Sequence, residues 1–437
     1  MIHRGRSQVR SRGPMQLNRR NMLKFSAAAG ALTAFQNCGS PEDSSPGTSK
    51  SAPNHPTPEE LDQAAATPLL NLDGLTSPVI IDSIQLLQRG REQIVHIRSK
   101  DGAEGISFTN GRPNAQPILE NRIIPFFIGK DARLLESELL FELYRYQSNY
   151  KLQGLAFWSA QTWVEFAILD MLGRVAGKSM SELFGGGVRK EAPFYVASGR
   201  RDSTPEEEVD YLTQLVEETG AKAVKFRVGG RMSRNRDAMP GRTENLIRLA
   251  RKTLGDGIDI HADSNSSYDP PQAIEVGRML EEVNAVFFEE PCPFDHLEDT
   301  KKVADALTIP VAGGEQEFSE RRFRWMIHNR AVDIVQPDLH YYGGMIRSLR
   351  VAKMAALANM PTTPHISGGF GFVYVLHFTA CVNDVGSYQE YKRGIERYKD
   401  WFEPALEIRD GALSIPTGPG VGIKDIKAVL RETQPVA

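Results

Sequence analysis

The chain is poor in the features that would place it in several functional classes at once. Only three of its 437 residues are cysteines, at 38, 292 and 381. An odd count without metal-ligand spacing argues against a disulfide framework, and Cys292 and Cys381 read as ordinary buried thiols. Excess charge is also missing. With 52 basic against 55 acidic residues the formal net charge is −3, and no basic stripe interrupts the folded part, so electrostatics gives no case for nucleic acid. The one early apolar run, FSAAAGALTAF, is too short to span a membrane. No glycine-rich dinucleotide fingerprint follows the first strand of the main domain, which counts against a doubly wound open sheet. A hydrophobic content of 41% supports a substantial core, and small-molecule chemistry is the class left standing.

The ends of the chain differ from its middle. In residues 1–37 a basic stretch closes on Asn18-Arg19-Arg20-Asn21-Met22-Leu23-Lys24 ahead of the weakly apolar run, a pattern similar to a twin-arginine export signal. Such a signal carries folded proteins across the bacterial inner membrane, so the expected location is the periplasm. Cys38 follows in FQNCGS, at the head of a Ser/Pro-rich segment, 38–75, that reads as a flexible tether. A lipid on Cys38 would make the protein a membrane-tethered lipoprotein, although Phe-Gln-Asn departs from the usual small residues before such a cysteine. The alternative for the leader is a basic tail.

Residues 76–190 read as an α+β domain. IIDSIQLLQRGREQIVHIRSKDG predicts two strands and a turn, ending in an Asp-Gly dipeptide suited to positive φ. Residues 130–185 carry apolar positions at helical spacing and stop at a glycine run. From 191 to 402 strand and helix patterns alternate: FYVAS, AVKFRVG, DIHADSN, AVFFEEP, IPVAGGE, DIVQPDL, TTPHIS and SYQEY, with helical segments between them. Thr204 and Glu207 predict a capping box at the first of those helices. This order predicts an α/β chain with a parallel closed barrel of TIM type. The remainder, 403–437, is expected to pack back on the first domain.

Three acidic residues recur at one interval. Asp263, Glu289 and Glu315 each close a strand-like run, with 26 residues between neighbours, the length of one strand-loop-helix-loop unit. In a barrel those strand ends meet on one face, where clustered carboxylates repel unless a hard divalent cation such as Mg²⁺ neutralises them. An acidic residue after a strand often caps the next helix instead, but capping would not fix the interval. Lys225 and Arg227 alternate with Phe226 and therefore face one side of their strand. They could form a structural ion pair with the acids or serve the chemistry. Asp338, His365 and Glu390 close the last three strands. A lone histidine there would read as a core residue, but every neighbouring strand end also carries charge.

KFRVGG at 225, HADSN at 261, FEEP at 288, GGE at 313, QPDLHYYGG at 336, TPHISGG at 363 and QEY at 389 together resemble the mandelate racemase branch of the enolase superfamily. The resemblance covers roughly residues 78 to 430. It implies a modified (β/α)₇β barrel with an N-terminal α+β capping domain, an essential Mg²⁺ and a homo-oligomer. It implies that Asp263, Glu289 and Glu315 ligate Mg²⁺, with Glu289 rather than Glu290 as the ligand of its pair. It further implies a His365–Asp338 dyad, substrate contacts from Asn265 and Lys225, and a Glu390 that hydrogen-bonds a substrate carboxylate oxygen, as donor if protonated. Mg²⁺ beside a substrate carboxylate, aided by Lys225 and Arg227, would stabilise the enediolate formed when the neighbouring proton leaves.

One departure separates the candidate reactions. The branch usually has a second lysine where this chain has Arg227, and a guanidinium is a poor proton acceptor. Racemisation at one carbon needs a base on each face, whereas elimination of water needs only His365. Dehydration of an aldonate or aldarate to a 2-keto-3-deoxy acid is therefore the favoured expectation. A racemase or epimerase of a 2-hydroxy acid or amino-acid derivative would need Lys225 as the second base. A catalytically silent exported binding protein is the third reading, opposed by the retained Asp338, His365 and Glu390. Only QRGRE joins the first two strands, so NGRPNAQPILENRIIPFF is the expected substitute lid, with Arg89, Arg91, Arg112 or Arg122 available to a distal carboxylate.

Overall fold

The structure is a computed structural model that describes residues 50, 53–366 and 368–436. The leader and Cys38 lie outside the described residues. No helix among the described residues is long and apolar enough to cross a membrane.

The chain first builds an antiparallel meander. Strands β1 (Ile81–Arg89), β2 (Glu92–Ser99) and β3 (Glu104–Phe108) pair in order, with a tight turn at Gly90 and Arg91. The third strand was not foreseen in the sequence. Helix Leu155–Ala176 lies across this sheet, and everything from Phe157 to Gly173 is buried. It has no solvent face because the sheet covers one side and helix Gly344–Leu357 of the barrel the other. Residues 113–152, expected to be helical from 130, form short, broken helical turns.

Glu165 sits at that junction, wholly buried. Its Oε1 accepts the Ile346 N–H at 3.0 Å, in the first turn of Gly344–Leu357, and its Oε2 accepts the Gln161 amide at 2.9 Å. Burial pushes its carboxyl up to about 7, against the lowering effect of those two donors. The native state therefore keeps a proton that the unfolded chain releases, and the stability this group contributes falls as pH rises from its ordinary carboxylate value through about 7. Glutamine would not titrate, and Gln161 could accept from it, because Gln161 Oε1 has no partner. Glu165→Gln is expected to match the wild type near pH 5 and to exceed it by about 1–3 kcal/mol at pH 8 in urea unfolding. A difference independent of pH would refute a titrating Glu165.

The second part is the barrel. Strands β4 (Glu191–Ala197), β5 (Ala223–Arg227), β6 (Asp259–Asp263), β7 (Phe287–Glu289), β8 (Val311–Gly313) and β9 (Ile334–Val335) run parallel in sequence order. Strand β10 (Gln389–Tyr391) pairs in parallel with β4 and closes the ring. The expected seventh strand is reduced to two parallel bridges, Val335 to Thr362 and Asp338 to His365. Pro361 and Pro364 lack the N–H groups a longer ladder needs. Helix Pro205–Thr219 starts with the expected Thr204/Glu207 capping box. Phe226 packs outward in the main core. Tyr195, Ala197, Ala223, Phe287, Ala312 and Ile334 form a small separate cluster inside the barrel. Lys225 and Arg227, in phase with Ala223, face the barrel interior.

Two boundaries depart from the sequence reading or add to it. The stretch from 53 to 75 is not a flexible tether. Helix Pro58–Ala65 has a Thr57/Glu60 capping box, buries Leu61, and packs on helices Glu320–His328 and Gly344–Leu357, with Asp62 paired to Arg321 and Arg324 at 2.6 and 2.7 Å. The proline-rich composition hid a short helix whose start signal was present. At the other end, β11 (Ile408–Arg409) and β12 (Ala412–Ser414) form a hairpin against the start of β4, and β13 (Gln434–Pro435) pairs with β1. Cys292 is buried and Cys381 half-buried, and burial pushes both thiols up to about 12.

Candidate active site

The C-terminal ends of the barrel strands converge on one group of charged side chains. β6 ends at Asp263, β7 at Glu289, and Glu315 follows β8 by two residues. One oxygen from each of these three lies within 4.8 Å of the others, and all three side chains are buried. Glu290, set aside in the sequence reading, is buried against them, and its Oε2 accepts from Asn265 Nδ2 at 3.3 Å. Burial together with the charges of Glu315 and Glu289 pushes Glu290 well above the carboxylate range. Glu289 Oε1 and Glu290 Oε1 have no hydrogen-bond partner although both are buried. Orphaned acceptors in so acidic a pocket suit a hard cation that takes oxygen ligands.

The cations supplied by the chain fold into this pocket. Lys225, fully buried, places Nζ 2.5 Å from Glu289, 3.2 Å from Glu390 and 3.9 Å from Asp263. Arg227 pairs with Asp263 and comes within 4.0 Å of Glu390. Burial disfavours the charge on Lys225, but Glu289 and Glu390 outweigh it and hold the amine well above its ordinary value. Glu390 is the converse case. Burial opposes its ionisation, yet Lys225, Lys392 and His365 hold it well below the usual range. Its Oε2 accepts from Lys225 at 3.2 Å, and its Oε1 stands 3.1 Å from the Lys392 ammonium, contacts that favour the ionised form.

His365 and Asp338 form a close pair. Nδ1 of His365 stands 2.5 Å from Asp338 Oδ2, and Asp338 Oδ1 accepts the backbone N–H groups of His340 and Tyr341, both at 2.7 Å. The carboxylate is thus fixed by main chain on one oxygen and orients the ring with the other. That leaves Nε2 aimed at the pocket, 3.2 Å from Glu315 and 3.6 Å from Glu390. Burial lowers the affinity of this imidazole for a proton, but Glu315, Glu390 and the Asp338 hydrogen bond raise it above the ordinary histidine value.

The capping domain reaches this rim through Arg112. Its guanidinium stacks on the Tyr341 ring at 4.3 Å and hydrogen-bonds the Tyr341 hydroxyl, and that ring lies 6.3 Å from His365. Arg91 lines a cavity of about 200 Å³ beside Ile366, between the β1–β2 turn, residues 109–111 and the barrel. The other two candidate arginines are engaged elsewhere. Arg89 pairs with Glu92 and Glu432, and Arg122 bonds Gln147. Of the expected lid only residues 110–112 meet the barrel mouth in these contacts, because the segment from Pro113 to Phe127 folds into helical turns of the capping domain. Sequence reasoning missed Lys392, which lies just past β10 and two residues after Glu390, a spacing that could have revealed it. It also missed Tyr341, Arg201 and Arg231, which sit in loops without a periodic signal.

A closed parallel barrel whose rim joins three carboxylates, a buried lysine and a His–Asp pair, under an α+β cap, defines an enzyme of the enolase superfamily. Residues 207–425 match the enolase C-terminal domain-like family, and residues 74–185 match the mandelate racemase / muconate lactonizing enzyme N-terminal domain. The chain belongs to the mandelate racemase / muconate lactonizing enzyme family. Residues 16–35 match the twin-arginine translocation pathway signal, which marks the protein for export. The arabinonate dehydratase of Saccharolobus solfataricus is 29% identical over 75% of this chain and 86% of its own length. The L-talarate/galactarate dehydratase of Salmonella typhimurium is 29% identical over 78% and 82%. Among solved structures, a racemase candidate from Roseobacter denitrificans superposes with a TM-score of 0.74 at 35% identity, covering 81% of this chain and 98% of that one.

Proposed function

We propose that this protein is a Mg²⁺-dependent acid-sugar dehydratase acting after export, in the periplasm. The observation that carries the reading is the single convincing base: His365 turns Nε2 into the acidic pocket, 3.2 Å from Glu315, with the buried Asp338 carboxylate behind its ring, while Lys225 and Arg227 are held as cations by ion pairs. Asp263, Glu289 and Glu315 would hold the metal, with their mutual proximity and the orphaned acceptor on Glu289 as support. Bound there, Mg²⁺ would supply positive charge to the substrate carboxylate and so stabilise an enediolate. Nε2 of His365 takes the α-proton, and Asp338 stabilises the imidazolium formed. The C–O bond at the β-carbon then breaks, and the same imidazolium returns its proton to the leaving hydroxyl, giving water and an enol that tautomerises to a 2-keto-3-deoxy acid. Lys225 and Arg227 add positive potential where charge develops.

A racemase would require a second, neutral base. Lys225 is enclosed by three carboxylates that favour its protonated form, and Arg227 is paired to Asp263. The two relatives named as acid-sugar dehydratases, both at 29% identity, support elimination as well. The test is a panel of acid sugars and 2-hydroxy acids incubated with residues 53–437 and Mg²⁺ in D₂O, followed by mass spectrometry and NMR. Deuterium exchange with loss of water and a 2-keto-3-deoxy product is expected. Exchange with inversion and no loss of water would instead identify a racemase.

A further inference from the structure

One corner of the barrel rim gathers positive charge without a matching anion. Arg201 follows β4, Arg231 follows β5 and Asn265 follows β6. Asn265 Oδ1 accepts from Arg201 Nη2 at 2.8 Å and from Arg231 Nη2 at 3.3 Å, while Arg201 Nε donates to the Gly229 carbonyl at 3.2 Å. The other edge of the same amide, Nδ2, faces Asp263 Oδ2 at 3.2 Å and Glu290 Oε2 at 3.3 Å. These neighbours fix the amide one way round, oxygen toward the guanidiniums and nitrogen toward the carboxylates. Neither Arg201 nor Arg231 forms an ion pair with a carboxylate among the described residues. Burial first, and then the charges of Arg227, Arg231 and Arg242, hold the Arg201 guanidinium down to about 9.

Two guanidiniums sharing one neutral oxygen repel each other, and an anion between them would reverse the sign of that interaction. A carboxylate matches their planar, forked donors. A single side-chain amide separates this corner from Asp263, a span within reach of a sugar-acid chain. We propose that Arg201 and Arg231 bind the second carboxylate of the substrate, so that the acid sugar taken is an aldarate rather than an aldonate. This deepens the dehydratase reading and rests on it.

The test uses binding, so that it does not depend on turnover. Calorimetry with Mg²⁺ on the His365→Asn protein compares galactarate with galactonate, glucarate with gluconate and mannarate with mannonate. At least one diacid is expected to bind roughly tenfold or more tightly than its monoacid partner. That ratio should collapse toward unity in Arg201→Gln/Arg231→Gln and be partly restored in Arg201→Lys/Arg231→Lys. Loosening of Asn265 alone would weaken both acids equally and leave the ratio unchanged. An unchanged ratio, equal affinities in the parent protein, or no binding by any diacid would each overturn the proposal. Failure of the dehydratase reading is distinguishable, since the diacid would then bind selectively while the wild type released no 2-keto-3-deoxy acid.

Discussion

His365→Asn is expected to lower kcat by about 10³–10⁴-fold and to abolish α-proton exchange, with little change in thermal stability. Asparagine can keep a donor toward Asp338 Oδ2, so the buried carboxylate stays satisfied, but it offers no atom that takes up a proton. Asp338→Asn should cost nearly as much for a different reason. Asp338 Oδ1 accepts two backbone N–H groups, so in the variant the amide oxygen stays on that side and the NH₂ turns to His365 Nδ1. A donor at that position forces the imidazole proton onto Nε2, the atom that must be bare to act as a base. The two variants therefore separate loss of the base from loss of its tautomer. A rising pH should rescue neither, and an Asp338→Asn protein with near wild-type kcat would show that ring orientation does not depend on this carboxylate.

The carboxylate cluster was legible in the sequence because a barrel converts chain distance into position. Equal intervals of 26 residues bring Asp263, Glu289 and Glu315 to consecutive strand ends, and the strand-end rule carried Lys225, Arg227, His365 and Glu390 to the same rim. What the residues could not reveal was their partners' charge state. Glu390 was considered as a donor if protonated, and the fold sets it between Lys225 and Lys392, which favour its ionised form. For Lys225 and Arg227 the sequence left open a structural ion pair with the acids or a part in the chemistry, and in the fold both turn into the carboxylates.

Loops were the part that periodicity could not reach. Arg201, Arg231 and Arg112 have no repeating neighbours, and only tertiary contacts bring them to Asn265 and Tyr341. The helix Pro58–Ala65 was lost for the opposite reason. Its capping box was readable, but a Ser/Pro-rich setting suggested a tether, and the helix is secured by burying Leu61 against the barrel's outer helices. Export by the twin-arginine route fits the site, since a protein that crosses the membrane folded can close its acidic pocket beforehand.

The second large effect concerns the metal itself. Wild-type protein stripped with chelator should regain activity with Mg²⁺, and at a hundredfold excess over Kd it should be more stable by about 2.7 kcal/mol. Glu289→Gln is expected to lose that stabilisation and to lower turnover by at least about a thousandfold. The neighbouring lysine makes a sharper test possible. Lys225 Nζ is 2.5 Å from Glu289 Oε2, the neighbour of the orphaned Oε1, so the amine already supplies a counter-charge to the carboxylate that a metal would use. Metal binding would then set a second cation beside the first. Lys225→Met removes the competitor and leaves the carboxylates short of positive charge, so it should bind Mg²⁺ more tightly than the wild type while turning over more slowly. Two substitutions at one contact are thus expected to move metal affinity in opposite directions and activity in the same one. A Lys225→Met protein that binds Mg²⁺ more weakly would mean that the lysine arranges the carboxylates for the metal instead of competing for them.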